Sequence, residues 1–290
     1  MIPECDVILS VRNAESTLGV AVESILSQTH RNLRLIAIDD GSSDRSPEVL
    51  RSFKDPRLLI LTNSSAMGLP SSLNRAIDLA TAPYIARMDA DDISHPSRLA
   101  TQLEALKRRE ELDLVGSSVV CMDFQGRILG QRIYPAEHSD ITRRPYRSIP
   151  IAHPTWCGRR EWFMKHPYDP NCLKSQDQAL LRSARRESRF ANLEQPLLAY
   201  RESTAVRPLA TLQSRRFLAR DILRSAISEG RPVAGFLGAA GTLSRWAMDV
   251  LVWASGNPRF AAHRFQPMGA ELHNEWRSII ANSHFTASRG

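Results

Sequence analysis

Three carboxylates in four residues, Asp89-Ala90-Asp91-Asp92, carry the most concentrated chemistry in the chain. Like charges this close repel unless a cation joins them. Hard divalent cations such as Mg²⁺ and Mn²⁺ take oxygen ligands and often share them with substrate phosphates. A metal so held neutralises charge that builds on a leaving diphosphate. The same run also suits a solvated acidic turn at the start of a helix, where carboxylates are common. A second acidic segment, Asp39-Asp40-Gly41-Ser42-Ser43-Asp44, offers carboxylates to a nucleobase or ribose, and its small residues let a ligand approach. That layout fits receiver domains and plain strand-to-helix turns as well, and fold alone does not fix function.

The elements that must position these clusters alternate along the first 120 residues. Apolar runs at 7–11, 33–38, 58–61, 84–88 and 114–121 read as strands of the kind buried in a parallel sheet. Between them lie helical patterns at 15–28, 46–54 and 69–80. A further one follows Pro96, which suits a first turn, with Leu99, Leu103 and Leu106 on its apolar face. The alternation predicts an α/β fold: a mostly parallel central sheet with helices on both faces. Ligands collect at the carboxyl ends of such strands, and both acidic clusters sit there. The middle of the chain is less regular, with a strand expected at 128–134 and helices at 160–166 and 175–186.

Near residue 205 the composition changes, which predicts a catalytic domain over 1–204 and a basic helical extension over 205–290. The extension holds 11 Arg, no Lys and 5 Asp or Glu, so it carries +6 of the chain's formal +7. The first part is nearly neutral and lacks a basic face with stacking aromatics, which argues against a nucleic-acid partner. Cys5, Cys121, Cys157 and Cys172 are scattered, without C-x-x-C or a histidine cluster, so neither zinc nor a disulfide framework is expected. The amino terminus reads as a first strand and not as a signal peptide. A cytoplasmic protein is expected.

Taken together and in order, the motifs resemble those of family 2 glycosyltransferases of the GT-A fold, the nucleotide-diphospho-sugar transferase fold. They are Asn13-Ala14-Glu15, Ser24-Ile25-Leu26-Ser27-Gln28-Thr29, the 39–44 segment, Gly68-Leu69, Leu73-Asn74, and 86–92 with Pro96 and Arg98-Leu99. His153-Pro154-Thr155 and Ser175-Gln176-Asp177-Gln178-Ala179-Leu180 continue the series, which covers roughly residues 3–201. A single D-x-D is weak; the ordered series is specific.

The resemblance implies inverting transfer of a sugar from a nucleotide diphosphate, most often UDP, to a hydroxyl of a saccharide or lipid-linked acceptor. A role in bacterial polysaccharide or cell-envelope glycan synthesis comes with it. It places Asp40 at the base with Ser10 and Asp39 beside it. Asp91 becomes the principal metal ligand, and Asp89 completes the D-x-D. It makes Asp177 the general base, which physically suits a carboxylate in reach of the attacking hydroxyl. Two positions depart from the pattern. Arg12 replaces an aromatic residue that packs on the base, and arginine too stacks on flat rings. Gln176 replaces the usual Glu. His153, Trp156 and Gln176 are expected around the acceptor, His153 as a shaping residue and Trp156 either stacked on a sugar or in the core.

Two rivals remain on the sequence. A sugar nucleotidyltransferase would carry a glycine-rich basic loop where Ser10-Val11-Arg12-Asn13 stands. A non-catalytic sugar-nucleotide binder has only Gln176 in its favour. In the extension, residues 236–253 are apolar except for Arg245 and Asp249, an interrupted pattern for a spanning helix. A helix lying on the inner membrane surface, with Trp246 and Trp253 at the interface, fits that composition, as does packing onto the catalytic domain.

Overall fold

A computed structural model describes residues 2–202, 208–255 and 265–283. Arg207 and the Trp253 side chain, from the extension, lie outside the described residues. Among the described residues, nine strands form one sheet: β1 (Cys5–Val11), β2 (Leu33–Asp39), β3 (Leu58–Thr62), β4 (Tyr84–Asp89), β5 (Ile93–Ser94), β6 (Leu114–Met122), β7 (Ile128–Arg132), β8 (Cys157–Arg159) and β9 (Phe190–Arg201). The order is β3-β2-β1-β4-β8-β6-β9-β5, with β7 paired to β6.

The five apolar runs read from sequence are all strands, and each extends one or two residues further. Those of the first half, β3-β2-β1-β4, pair in parallel. Beyond β4 the sheet is mixed: β8 runs antiparallel to β4 and β6, β7 to β6 and β5 to β9, while β6 and β9 are parallel. The parallel character expected for the whole sheet thus belongs chiefly to its first half.

Alternate strand residues face opposite layers. Val7, Leu9, Leu35, Ala37 and Met88 pack with α1 (Leu18–Leu26) and α4 (Arg98–Arg108). Ile8, Ile36, Ile38 and Ile85 pack with α3 (Leu69–Leu79) and with Trp156, Trp162 and Phe163. The remaining helices of this part are α2 (Ser46–Ser52), α5 (His138–Ile141), α6 (Arg160–Lys165) and α7 (Gln176–Ala184). At the amino end of the sheet, fully buried Asp6 accepts from Arg34 Nε at 2.7 Å and Nη2 at 3.0 Å. It also accepts from the backbone N–H groups of Thr81 and Ala82 at 2.7 and 2.8 Å. A buried carboxylate is tolerated here because it is paired and hydrogen-bonded.

The extension forms α8 (Pro208–Ser228), α9 (Pro232–Ser255) and α10 (Ala270–Asn282). The first two make a hairpin that docks on α7. Arg182 pairs with Asp221, Arg185 with Glu229, and the Tyr146 hydroxyl donates to Glu229 at 2.8 Å. The α10 segment returns to the sheet: Gln266 bridges Gln131, and fully buried Trp276 packs with Ile93, Val120, Met122 and Ala199.

Among the described residues, no helix is long and apolar enough to cross a membrane. The outer face of α9 carries Val233, Phe236, Leu237, Met248 and Leu251, each more than 60% exposed. Trp246 is not part of that stripe; it is half-buried. Asp249, from the charged pair that interrupts the apolar pattern, meets Arg215 of α8 at 3.4 Å.

Candidate active site

The parallel half delivers its strands to one edge, where register sets Ser10 beside both Ile38 and Asp89, and Val11 beside Asp39. The loops after β1 and β2 are stitched together. Asn13, in the left-handed region, accepts from the Ser43 N–H at 2.8 Å, and Glu15 accepts from the Arg45 N–H at 2.9 Å. Arg12 projects from this rim and is exposed. Gly41 turns with φ +68°, and a Cβ there would meet the Ala66 nitrogen at 3.0 Å, so the 63–68 loop lies directly on it.

Asp39 and Asp40 are both buried but do different things. Asp39 accepts the Ser42 N–H at 3.2 Å. Asp40, expected at the nucleobase, is occupied by the chain itself. Its Oδ1 accepts from Asn63 Nδ2 at 2.7 Å, Met67 N–H at 2.8 Å and Ser72 Oγ at 2.9 Å, and its Oδ2 accepts from Gly68 N–H at 2.9 Å. Burial works to raise its pKa, but the donors of Asn63, Met67, Ser72 and Gly68 prevail and hold it below the ordinary carboxylate value. Asp40 therefore anchors the 63–72 loop.

At the end of β4, oxygen atoms of Asp89, Asp91 and Asp92 lie within 4.8 Å of one another. Buried Arg87, two residues before Asp89 on the same strand face, holds that carboxylate with both terminal nitrogens, one at 2.6 Å. Arg201, at the end of β9, donates its N–H to Asp92 at 2.8 Å and its Nε to the Asp91 carbonyl at 2.7 Å. Burial first, then the charge of Asp89, pushes the Asp91 carboxyl up to about 6. Burial, with Asp89 and Asp91, raises Asp92 as well. Asp92 Oδ2 is buried without a hydrogen-bond partner. An all-oxygen donor set, crowded, desolvated and with one orphaned oxygen, fits a hard divalent cation.

Behind the cluster, the Ser24–Gln28 motif acts as a clamp. The Gln28 amide donates to Ser94 Oγ at 3.1 Å and the His95 carbonyl at 2.7 Å, and its oxygen accepts the Leu99 N–H at 3.0 Å.

A cavity of about 430 Å³ opens from Asp89 and Arg87 to Asp177. Gln176, Gln178, His153, Tyr134, Arg132 and Tyr200 also line it. Asp177 stands in the first turn of α7, where the helix dipole favours an anion. Burial nevertheless raises its pKa, with the Gln178 N–H, the Gln178 side chain and the Arg87 charge opposing. His153 meets the Tyr168 hydroxyl at 2.7 Å, and burial, followed by Arg87, drives its pKa well below the ordinary value. It is a neutral wall residue.

Trp156 is not an acceptor-pocket residue. It is fully buried, stacked on Tyr168 with centroids 6.2 Å apart, and crossed edge-on by Trp162. The sequence reading missed Arg87 and Arg201. Strand alternation would have put Arg87 on the face of Asp89, whereas nothing local links Arg201 to a turn 110 residues earlier.

Residues 6–166 match the profile described as Glycosyl transferase family 2. Putative glycosyltransferase EpsE of Bacillus subtilis (strain 168) is 36% identical over 137 residues, 46% of this chain and 49% of EpsE. The chain thus matches about half the length of that relative. A glucosyltransferase of Escherichia coli, WfaP, is 31% identical over 118 residues, 41% of this chain and 47% of its own. It is named a UDP-Glc:alpha-D-GlcNAc-diphosphoundecaprenol beta-1,3-glucosyltransferase. Among solved structures, the mannosyltransferase PcManGT from Pyrobaculum calidifontis, in complex with GDP-Man and Mn²⁺, superposes with a TM-score of 0.59 at 16% identity. That match covers 98% of this chain and 85% of the other, and it shows the shared GT-A fold.

The Asp40 knot yields a stability prediction. Asp40→Ala leaves two backbone N–H groups and two buried side chains without their acceptor and should cost about 2–3 kcal/mol in urea unfolding. Since the folded pKa is depressed, this stabilisation is present above about pH 4, the unfolded value, and fades as pH falls through the folded one. An Asp40→Asn variant should lose that part of the acid dependence. Unchanged midpoints in both variants would remove Asp40 from the scaffold.

Proposed function

The chain belongs to glycosyl transferase family 2, and from that premise we propose that it is an inverting glycosyltransferase. It moves a sugar from a nucleotide diphosphate to a hydroxyl of a saccharide or lipid-linked saccharide, in the synthesis of a cell-surface glycan. The observation that carries the reading is the single cleft joining the Asp89 end of β4 to Asp177. Donor chemistry at one end and a proton acceptor at the other are what direct displacement requires.

Asp39 and Ser10 face the nucleoside, with exposed Arg12 available to stack on the base. Asp91, Asp89 and Asp92 would hold a divalent cation, Mg²⁺ or Mn²⁺, which when bound neutralises charge on the leaving diphosphate. The acceptor oxygen attacks the anomeric carbon from the side opposite the diphosphate. As the new C–O bond forms, the bond from that carbon to the diphosphate oxygen breaks, and the hydroxyl proton passes to Asp177. Gln176, His153 and Tyr134 line the acceptor side. WfaP is named for a UDP-sugar donor and PcManGT was solved with a GDP-sugar and Mn²⁺, which supports a nucleotide-sugar donor with a cation. UDP is the first candidate. The acceptor in the name WfaP is lipid-linked, which supports that acceptor class here.

The apolar stripe of α9 suits a helix resting on the cytoplasmic face of a membrane. Failure of the full chain to float with phosphatidylglycerol vesicles would remove that placement.

Asp177→Asn should lower kcat by about 10²–10⁴-fold with nucleotide binding unchanged. Wild-type turnover should fall as pH drops through the Asp177 pKa, on a limb displaced above the ordinary carboxylate value of about 4 because burial raises it. A variant that turns over like wild type sinks the base assignment. In thermal-shift measurements UDP or GDP should stabilise the protein only with Mn²⁺, and Asp91→Ala should abolish that shift. A shift retained in the mutant would move the cation elsewhere.

A further inference from the structure

A second cavity, of about 740 Å³, lies where the 143–147 loop faces α9. Five arginines line it, Arg143, Arg144 and Arg147 from the loop and Arg231 and Arg245 from the extension, and none of its lining residues among those described is acidic. Arg143 has Asp140 at 3.7 Å. Among the described residues, Arg144, Arg147 and Arg231 meet no carboxylate within 4.0 Å. After burial, the charges of Arg215 and Arg147 lower the Arg245 pKa against an opposing Asp249, so like charge accumulates at this wall. Five guanidiniums facing one space, three of them without a carboxylate partner among the described residues, are a site for a multiply charged anion, which they can grip bidentately.

The wall is built by close packing. A Cβ on Gly238 would sit 2.2 Å from the Tyr146 carbonyl, so the loop backbone rests directly on the helix. Tyr146 is buried, and its hydroxyl is tied to Glu229. One turn from Gly238, a Cβ on Gly241 would meet nothing within 4 Å, and the cavity opens there.

Two boundaries define the ligand. On one side, lining residue Leu237 belongs to the exposed apolar stripe of α9. On the other, Arg147 is followed directly by Ser148, Ile149 and Pro150, which line the cleft of Asp177. The Gln178 amide fixes Ile149, accepting its N–H at 3.0 Å and donating to its carbonyl at 3.1 Å. A cationic cavity between an apolar strip and the acceptor end of the cleft complements a molecule with a chain, a compact anionic group and a sugar, in that order.

We propose that the five-arginine cavity binds the diphosphate that joins the acceptor saccharide to its lipid chain. The chain then runs along the α9 stripe and the sugar hydroxyl reaches Asp177. The assignment rests on the glycosyl-transfer reading above.

The test uses the full chain without divalent metal, so that the donor site is silent, and titrates farnesyl diphosphate, farnesol and inorganic pyrophosphate calorimetrically. Farnesyl diphosphate should bind at least tenfold more tightly than either fragment. Two variants should each lose tenfold or more: Arg144→Ser combined with Arg147→Ser, and Gly241→Phe, which fills the cavity from an open position. Both should keep UDP binding with Mn²⁺ and flotation with phosphatidylglycerol vesicles. Equal affinity for pyrophosphate and farnesyl diphosphate, or unchanged affinity in both variants, overturns the proposal. So does loss of vesicle flotation with farnesyl diphosphate binding intact, which would make the cavity a membrane headgroup site. If wild type fails to bind any nucleotide with Mn²⁺, the donor reading falls, and the farnesyl diphosphate result is judged separately.

Discussion

Crowding of Asp89, Asp91 and Asp92 at the end of β4 is the constraint to which the rest of the fold answers. Three carboxylates within 4.8 Å cannot all stay ionised in a half-buried place without help. Two arginines supply part of it: the Arg87 guanidinium grips Asp89 from within the same strand, and Arg201, at the far end of β9, gives its backbone N–H to Asp92 and its Nε to the Asp91 carbonyl. Against three carboxylates they leave one formal negative charge. A divalent cation would turn that residue of charge positive, which suits a diphosphate; without one, burial and mutual repulsion raise the pKa of both Asp91 and Asp92. The mixed second half of the sheet brings Arg201 to this place: β9 pairs with β5 through Ile93 and Ala199, which sets Arg201 against the 91–92 turn.

Several motif residues tie neighbouring loops and strands in place. Asp40 fixes the 63–72 loop, Gln28 fixes the turn after β5, and Asn74 clasps both backbone groups of Tyr168 at 2.8 and 2.9 Å. Arg98, fully buried, donates to the carbonyls of Arg87 and Pro154 at 3.2 and 2.7 Å, tying β4 to the His153 turn. Binding and catalytic groups need positions set by a rigid frame, and buried polar groups hydrogen-bonded across neighbouring elements provide one.

The parallel half was legible because β1, β2 and the centre of β4 are buried on both faces and so read as continuous apolar runs, while edge strand β3, only partly buried, still shows one in Leu58–Leu61. The second half gives weaker signals. β5 is two residues long and β8 three, too short for any period to appear. β9 contains Pro196, and its register shifts where Glu194 and Gln195 stand exposed, so its alternation breaks mid-strand. The carboxylates of the 89–92 cluster could be picked out by spacing, but Asp177 acquired its meaning only from the resemblance. Trp156 shows the limit of residue type: the same side chain stacks on a sugar or fills a core, and only its neighbours Trp162 and Tyr168 decide. In the extension, apolar composition suggested a surface helix. Which residues face outward depended on how α9 rests on α8, and that was not written in the segment itself.

Arg87 also bears on which group in the cleft can accept a proton. His153 and Asp177 both line it. Neutral His153 would become a cation on protonation, in a buried place already facing the Arg87 charge, and both influences lower its pKa. Asp177 would become neutral, and burial favours that change, while Arg87 keeps part of its anionic form available beforehand. The helix amino terminus under Asp177 acts in the same direction as Arg87. Desolvation therefore raises the basicity of the carboxylate and lowers that of the imidazole. Of the two groups on this wall, burial thus favours the protonated form of Asp177 and disfavours that of His153.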